Sequence, residues 1–365
     1  MTPRQMPVLR VSAPGKLFLL GEYAVLEGAP ALLSAVDARV QVSVSTAAGG
    51  CWRVATPGLD LTPQELGPDG ELPGTMEEQA RRALRVFDAV RGTLLAAGRL
   101  TSEPREVVID SSAFSRNGRK LGLGSSAAVA VALTAALTTA PTGPRLDRSA
   151  LFALADTAHR LAQGGTGSGG DVAASVYGGL ISYTTRETPT QLGWPEGLAA
   201  MAVVTGDGSS TMELVARVNA YRDRDERGYR SDIRRLADLA DRARAALGSA
   251  ADFLALCSDY FLALGALDTH AQAGIVTERH RELREIAAAS GGVFKSSGAG
   301  GGDLGLAFTG TGAPADELRR ALSAAGAELL PFAFCAEGVR AEEIPAEGNP
   351  AAGARVEAPR VEAPR

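Results

Sequence analysis

Lysine is almost missing from this chain. Lysine and arginine together number 37 in 365 residues, yet only Lys16, Lys120 and Lys295 are lysines, which leaves 34 arginines. All three lysines stand beside glycine-rich stretches. Arginine is planar and bulky, whereas lysine is a compact point charge on a slim stem. In a chain that uses arginine elsewhere, the lysines are expected where a guanidinium would not fit. Histidine is as scarce, with only His159, His270 and His280, and no zinc cluster is apparent among them. The cysteines, Cys51, Cys257 and Cys335, are far apart and odd in number. They suit a reducing compartment and have no metal-binding spacing. The net charge of −5 gives no general attraction to nucleic acid or to an anionic membrane. The first ten residues lack an apolar signal core, and the apolar run at 129–140 is too short to span a bilayer, so the chain reads as cytoplasmic.

What is present begins at residues 120–137, KLGLGSSAAVAVALTAAL. Two glycines and two serines precede an apolar run that holds neither glycine nor proline. This is the composition of a tight turn feeding a buried helix. The first N–H groups of such a helix are unpaired and lie at the positive end of its dipole, where a phosphate can bind. Ser125 or Ser126 can cap the helix or reach a metal ion, and Lys120 can add a charge. The same residues also fit an ordinary capped turn. They are not a Walker A loop, because the lysine precedes the glycines.

Two further stretches share this character. Residues 13–28, APGKLFLLGEYAVLEG, follow a strand at 8–13, make a turn at 13–16 and continue as a buried strand at 17–20. Lys16 and Glu22 read either as solvated strand-end charges or as groups over a ligand. Residues 291–308, GGVFKSSGAGGGDLGLAF, place Lys295, Ser296 and Ser297 before a glycine loop that ends in Asp303. Between these, residues 163–179 carry five glycines in seven positions and then deliver Asp171 at the start of a small-residue helix. A simple helix-terminal charge does not need so many flexible residues, which favours Asp171 as a site carboxylate.

The remainder reads as scaffold. Residues 31–46 alternate as a half-buried strand, and 76–98 carry a helical apolar face. Helices are also expected at 145–162, 211–247, 251–289 and 314–325, with strands at 106–110, 179–185, 199–205 and 327–335. The dense Arg and Asp of 211–247 form i, i+4 pairs on solvated faces. From 337 the chain is rich in Pro, Ala and Glu, the composition of a disordered tail.

Three glycine-rich motifs in this order resemble the GHMP kinase superfamily, which includes galactose, homoserine, mevalonate and phosphomevalonate kinases. Residues 13–28 match its first motif, 122–128 its second and 295–308 its third. Within the superfamily, AHRLAQGGTGSGGDVAASVYGG at 158–179 is most similar to the branch whose acceptor is 5-phosphomevalonate. The resemblance implies an α+β fold of two domains: an N-terminal half like ribosomal protein S5 over 1–198 and a ferredoxin-like half over 199–337, followed by a tail at 338–365. The active site would lie in the cleft between the halves. The resemblance further implies ATP on Lys120, Gly122, Leu123, Gly124, Ser125, Ser126 and Ala127, with Mg2+ on Ser126. Lys16 and Asp171 would be catalytic. Glu22, Tyr23, Ser168, Gly169, Ser297, Gly298, Ala299 and Gly300 would surround the small-molecule acceptor. A monomer or homodimer is expected, without nucleic acid or membrane. Hydroxyl-directed members carry a magnesium-binding Glu upstream of the aspartate, where this chain has His159-Arg160. A hydroxyl-directed kinase, such as a mevalonate kinase, is the alternative reading.

Overall fold

The structure is a computed structural model and describes residues 8–344, apart from 60, 101–102, 139–145, 166, 186 and 207–209. Its first half grows from one long hairpin. Strand β1 (Val8–Leu20) runs antiparallel to β2 (Ala31–Thr46), with register shifts at Pro14/Gly15 and Phe18/Leu20. The sequence predicts a turn at 13–16, but the chain instead stays extended and bulges there. A bulge tolerates proline and re-aims the next side chain, which is Lys16.

Beyond β2 come β3 (Arg53–Ala55), β4 (Gln64–Glu65), the helices α1 (Glu78–Ala83) and α2 (Arg85–Ala96), and β5 (Arg105–Asp110). A small hairpin of β6 (Ser115–Arg116) and β7 (Arg119–Lys120) leads into α3 (Ser125–Thr138), α4 (Arg148–Ala162) and α5 (Gly170–Tyr177). Strands β8 (Leu180–Tyr183) and β9 (Thr190–Leu192) return to the sheet at β2. Helix α3 is apolar all round, and its Ala130, Val131, Ala132 and Leu133 are fully buried. A helix of that kind belongs inside a layer, not on its surface.

The second half has its own sheet, in which Val293–Ser297, Leu304–Gly310, Leu198–Val204 and Glu328–Leu330 lie side by side in that order. It comprises β10 (Leu198–Val204), α6 (Thr211–Arg224), α7 (Glu226–Ala246), α8 (Ala250–Ala271), α9 (Glu278–Ala289), β11 (Val293–Ser297), β12 (Leu304–Gly310), α10 (Ala313–Ala324) and β13 (Glu328–Leu330). Helix α8 has 22 residues and is long and apolar enough to cross a membrane by length and composition. Sequence reading singled out only the shorter run at 129–140. In the fold α8 is a core helix packed on α7, β11 and β12, with Phe253, Leu256, Tyr260 and Leu264 buried.

One correction concerns the expected tail. Residues Arg340–Ile344 form β14, which pairs antiparallel with Val8–Ser12 at the edge of the first sheet. Arg39 secures this return by donating to the carbonyls of Glu337 at 2.8 Å and Gly338 at 2.7 Å. The rest of the expected tail, 345–365, lies outside the described residues.

The buried His280 ties α9 to β10. The Thr277 N–H donates to its Nδ1 at 3.2 Å, so Nε2 carries the proton and donates to Thr205 Oγ1 at 3.0 Å. Burial pushes its pKa down to about 4. Above about pH 6.5 the ring is neutral in folded and unfolded chains alike. Between 6.5 and 4 the unfolded chain takes up a proton that the folded chain refuses, so stability falls as pH drops through that window. Urea titrations should show a His280-dependent loss on the order of 3 kcal/mol between pH 7 and pH 4. A His280→Gln protein showing the same acid dependence as the parent would contradict this assignment.

Candidate active site

The site forms where the three glycine-rich stretches meet. Lys16 leaves the β1 bulge and crosses the loop before α3. Its own N–H donates to the Leu123 carbonyl at 2.9 Å. Gly124 holds a left-handed φ of 76°, and a Cβ there would lie 2.9 Å from Lys16 Cε. Any larger residue at 124 would displace the lysine stem. The Nζ end reaches the third loop, where a Cβ on Gly298 would lie 3.9 Å away. Among the described residues, no hydrogen-bond or ion-pair partner holds the ammonium itself. Burial pushes its pKa below the usual lysine value, while Asp171, Asp303 and Glu22 oppose this shift, Asp171 most strongly.

Asp171 is the second residue of α5 and half-buried, and one of its oxygens accepts from the Val172 N–H at 3.0 Å. The loop before it is braced by Arg160. Arg160 pairs with Asp156 at 2.8 Å and donates to the carbonyls of Gly167 at 2.7 Å and Ser168 at 2.9 Å. The Tyr183 hydroxyl also donates to the Ser168 carbonyl, at 2.7 Å. Gly169 has φ 87°, and a Cβ there would sit 2.5 Å from Asp156 Oδ1. The glycines therefore let the loop fold tightly around this brace, so Asp171 arrives from a fixed support.

At the α3 terminus, Gly122 is exposed, while Ser125 and Ser126 are half-buried. The Leu123 and Ala127 side chains are buried in the core, so only their backbone groups can face a ligand. Lys120 is exposed at the end of β7 and lines a cleft with Arg116, Arg119 and Asp303. The Asp303 side chain packs directly on Gly122.

Three residues expected around the acceptor make bonds within the protein. Glu22 is buried and pairs with the fully buried Lys295 at 2.5 Å. The Tyr23 hydroxyl donates to the Ala299 carbonyl at 2.6 Å. The Ser297 hydroxyl donates to the Phe18 carbonyl at 2.9 Å and accepts from the Phe18 N–H at 3.1 Å. These polar groups tie the first glycine-rich stretch to the third. Gly298 lies beside the Lys16 ammonium, whereas Gly300 is buried against the Ile275 carbonyl.

Sequence reasoning passed over three acidic or basic groups. Asp268 accepts from the N–H groups of Gly274, Ile275 and Val276 at 2.7, 2.8 and 3.0 Å, and so shapes the turn under the third loop. Asp303 was seen only as the end of that loop, and its burial raises its carboxyl pKa while Lys16 lowers it. His159 was noted only for the carboxylate it replaces.

The described residues contain no group of three or more His, Cys, Asp or Glu side chains able to hold a metal alone. Magnesium on a nucleotide takes most of its oxygens from phosphates and water and needs only one or two from protein. The Ser126 hydroxyl is a donor of that kind.

Comparison with known proteins agrees with this geometry. Residues 84–179 match the GHMP kinases N terminal domain, and residues 234–328 match the GHMP kinases C terminal domain. The chain is 34% identical to the phosphomevalonate kinase of Streptomyces sp. (strain CL190), over 93% of this chain and all of that one. It is 29% identical to the mevalonate kinase of Pyrococcus abyssi, covering 91% of this chain and 97% of the other. Among solved structures, the Streptococcus pneumoniae phosphomevalonate kinase in complex with phosphomevalonate and AMPPNP superposes with a TM-score of 0.74 at 23% identity, covering 89% of this chain and 99% of that one. With both domains matched in order and one relative aligned along its whole length, the chain belongs to the GHMP kinase family.

Proposed function

We propose that this protein is a phosphomevalonate kinase that moves the γ-phosphoryl group of ATP to the 5-phosphate of (R)-5-phosphomevalonate, giving 5-diphosphomevalonate and ADP. The observation that carries this reading is the meeting of Lys16 with the α3 loop and the third loop, within electrostatic reach of Asp171. The identity with the Streptomyces enzyme supports the choice of acceptor.

The chemistry asks little of the protein beyond position and charge. An acceptor phosphate oxygen attacks the γ-phosphorus as the bond to the ADP oxygen breaks. A phosphate monoester has a second pKa of about 6 and is mostly dianionic at pH 7, so no base is needed to activate it. Asp171 then serves to orient Lys16 and the acceptor, not to remove a proton. Lys16 shields the repulsion between two phosphate groups brought together. The N–H groups at the start of α3 face the nucleotide phosphates. A divalent cation held by Ser126 would neutralise further phosphate charge.

The mevalonate kinases among its relatives support a second reading, in which the acceptor is a hydroxyl. ADP release across mevalonate, 5-phosphomevalonate, homoserine and galactose separates the two. We expect release with 5-phosphomevalonate alone. Turnover with mevalonate and none with its phosphate would overturn the proposal.

A further inference from the structure

The Ser126 hydroxyl is held from two sides. It lies 3.0 Å from Nε2 of His159 and accepts from Nε2 of Gln163 at 3.3 Å. His159 is in the last turn of α4, and Gln163 follows four residues later at its end, so both project from one face. His159 is only 7% exposed. The reaction as described above makes no use of it.

A serine hydroxyl has one proton and two lone pairs. Gln163 takes one lone pair and His159 takes a second position, which leaves one for a ligand. What that last position offers depends on the imidazole. A bare Nε2 accepts the hydroxyl proton and leaves a lone pair, which suits a cation. A protonated Nε2 occupies the second lone pair and leaves the hydroxyl proton, which suits a phosphate oxygen. The start of α3 already presents unpaired N–H donors to phosphate, but it lacks an oxygen for the cation that accompanies a polyphosphate. The positive end of the α3 dipole also disfavours a second N–H aimed at Ser126.

We propose that His159 is a positioning residue whose bare Nε2 accepts the Ser126 proton and presents the remaining lone pair to the divalent cation of a metal–nucleotide complex. Gln163 braces the same oxygen. The inference rests on the nucleotide reading of the α3 loop and is independent of the acceptor.

The tautomer is read on the ligand-free wild-type protein. With three histidines in the chain, a long-range proton–nitrogen NMR spectrum of protein labelled with 15N-histidine separates the rings. A His159→Phe protein identifies the His159 signals by their loss. We expect His159 to carry its proton on Nδ1. His280 serves as an internal contrast, because the Thr277 N–H donates to its Nδ1. In His159→Phe, affinity for Mn2+ in the presence of ATP should fall about 10- to 100-fold, while affinity for metal-free ATP should change far less. A protonated Nε2 on His159 in the wild-type protein would overturn the inference. So would equal losses of ATP affinity with and without Mn2+. Because the NMR result needs no ligand, it decides the tautomer even if the nucleotide reading fails.

Discussion

Replacing Lys16 by Met should lower kcat/KM by about 10³-fold, the scale seen when one charged or hydrogen-bonding group is removed from a developing transition state. The loss should fall mainly on kcat, because the ammonium acts most strongly where phosphate charges are forced together. The fold should survive, since Met keeps most of the stem that crosses Gly124. Lys16→Arg should rescue little, because the room left at Gly124 fits a slim chain and not a guanidinium. The pH profile gives an independent check. Burial holds the Lys16 pKa below its usual value of 10.5, so the alkaline limb of kcat/KM should fall below that value. The charged groups acting on Lys16 are Asp171, Asp303 and Glu22. Asp303 itself shares its cleft with Arg116, Arg119, Lys120 and Glu328. Removing one anion makes the ammonium easier to deprotonate, so Asp303→Asn should move the alkaline limb to lower pH. A limb that stays in place or moves upward would count against Lys16 as the titrating group.

The second large effect concerns stability. Lys295 is fully buried, and its ammonium is shared between Glu22 Oε1 and the Ser296 carbonyl. Glu22 Oε2 has no hydrogen-bond partner. Lys295→Met would strand the Glu22 charge in the interior, at a cost of about 3–5 kcal/mol. Glu22→Gln combined with Lys295→Met should recover much of that loss, because replacing both members of a buried pair is often close to neutral. Chemical denaturation of the single and double variants measures this directly. A single variant as stable as the parent would show that the pair does not lock the halves together. The pair also accounts for one of the rare lysines, since Nζ sits in a fully buried space that a bulkier guanidinium would not fit.

The parts of the site readable from sequence were those written in local composition. Glycine runs beside the only three lysines marked the loops, and the small-residue stretch after Asp171 marked α5. Sequence could not show which polar atoms face a ligand and which face each other. Glu22 finds Lys295 across 273 residues, and Phe18 finds Ser297 across 279. Of these four residues only Glu22 and Ser297 are expected at the acceptor, and their partners are invisible in any local window. The role of His159 is hidden for the same physical reason, since its bond to Ser126 spans 33 residues. The proline in the first motif suggested a turn, yet pairing with β2 on one side held the backbone extended through a bulge. Composition also masked β14. Its charged sequence Arg-Ala-Glu-Glu-Ile resembles the tail beyond it, but β1 offers an open edge, and charged residues are common on edge strands.

Phosphorus NMR of the reaction mixture tests the central claim most directly, because it reports the bond that is made. With ATP, magnesium and 5-phosphomevalonate, the protein should convert the monoester resonance into a pair of coupled diphosphate doublets as ADP accumulates. A second, uncoupled monoester resonance on the same molecule would place the new phosphoryl group on a hydroxyl. That result, or no transfer to 5-phosphomevalonate at all, would contradict the account.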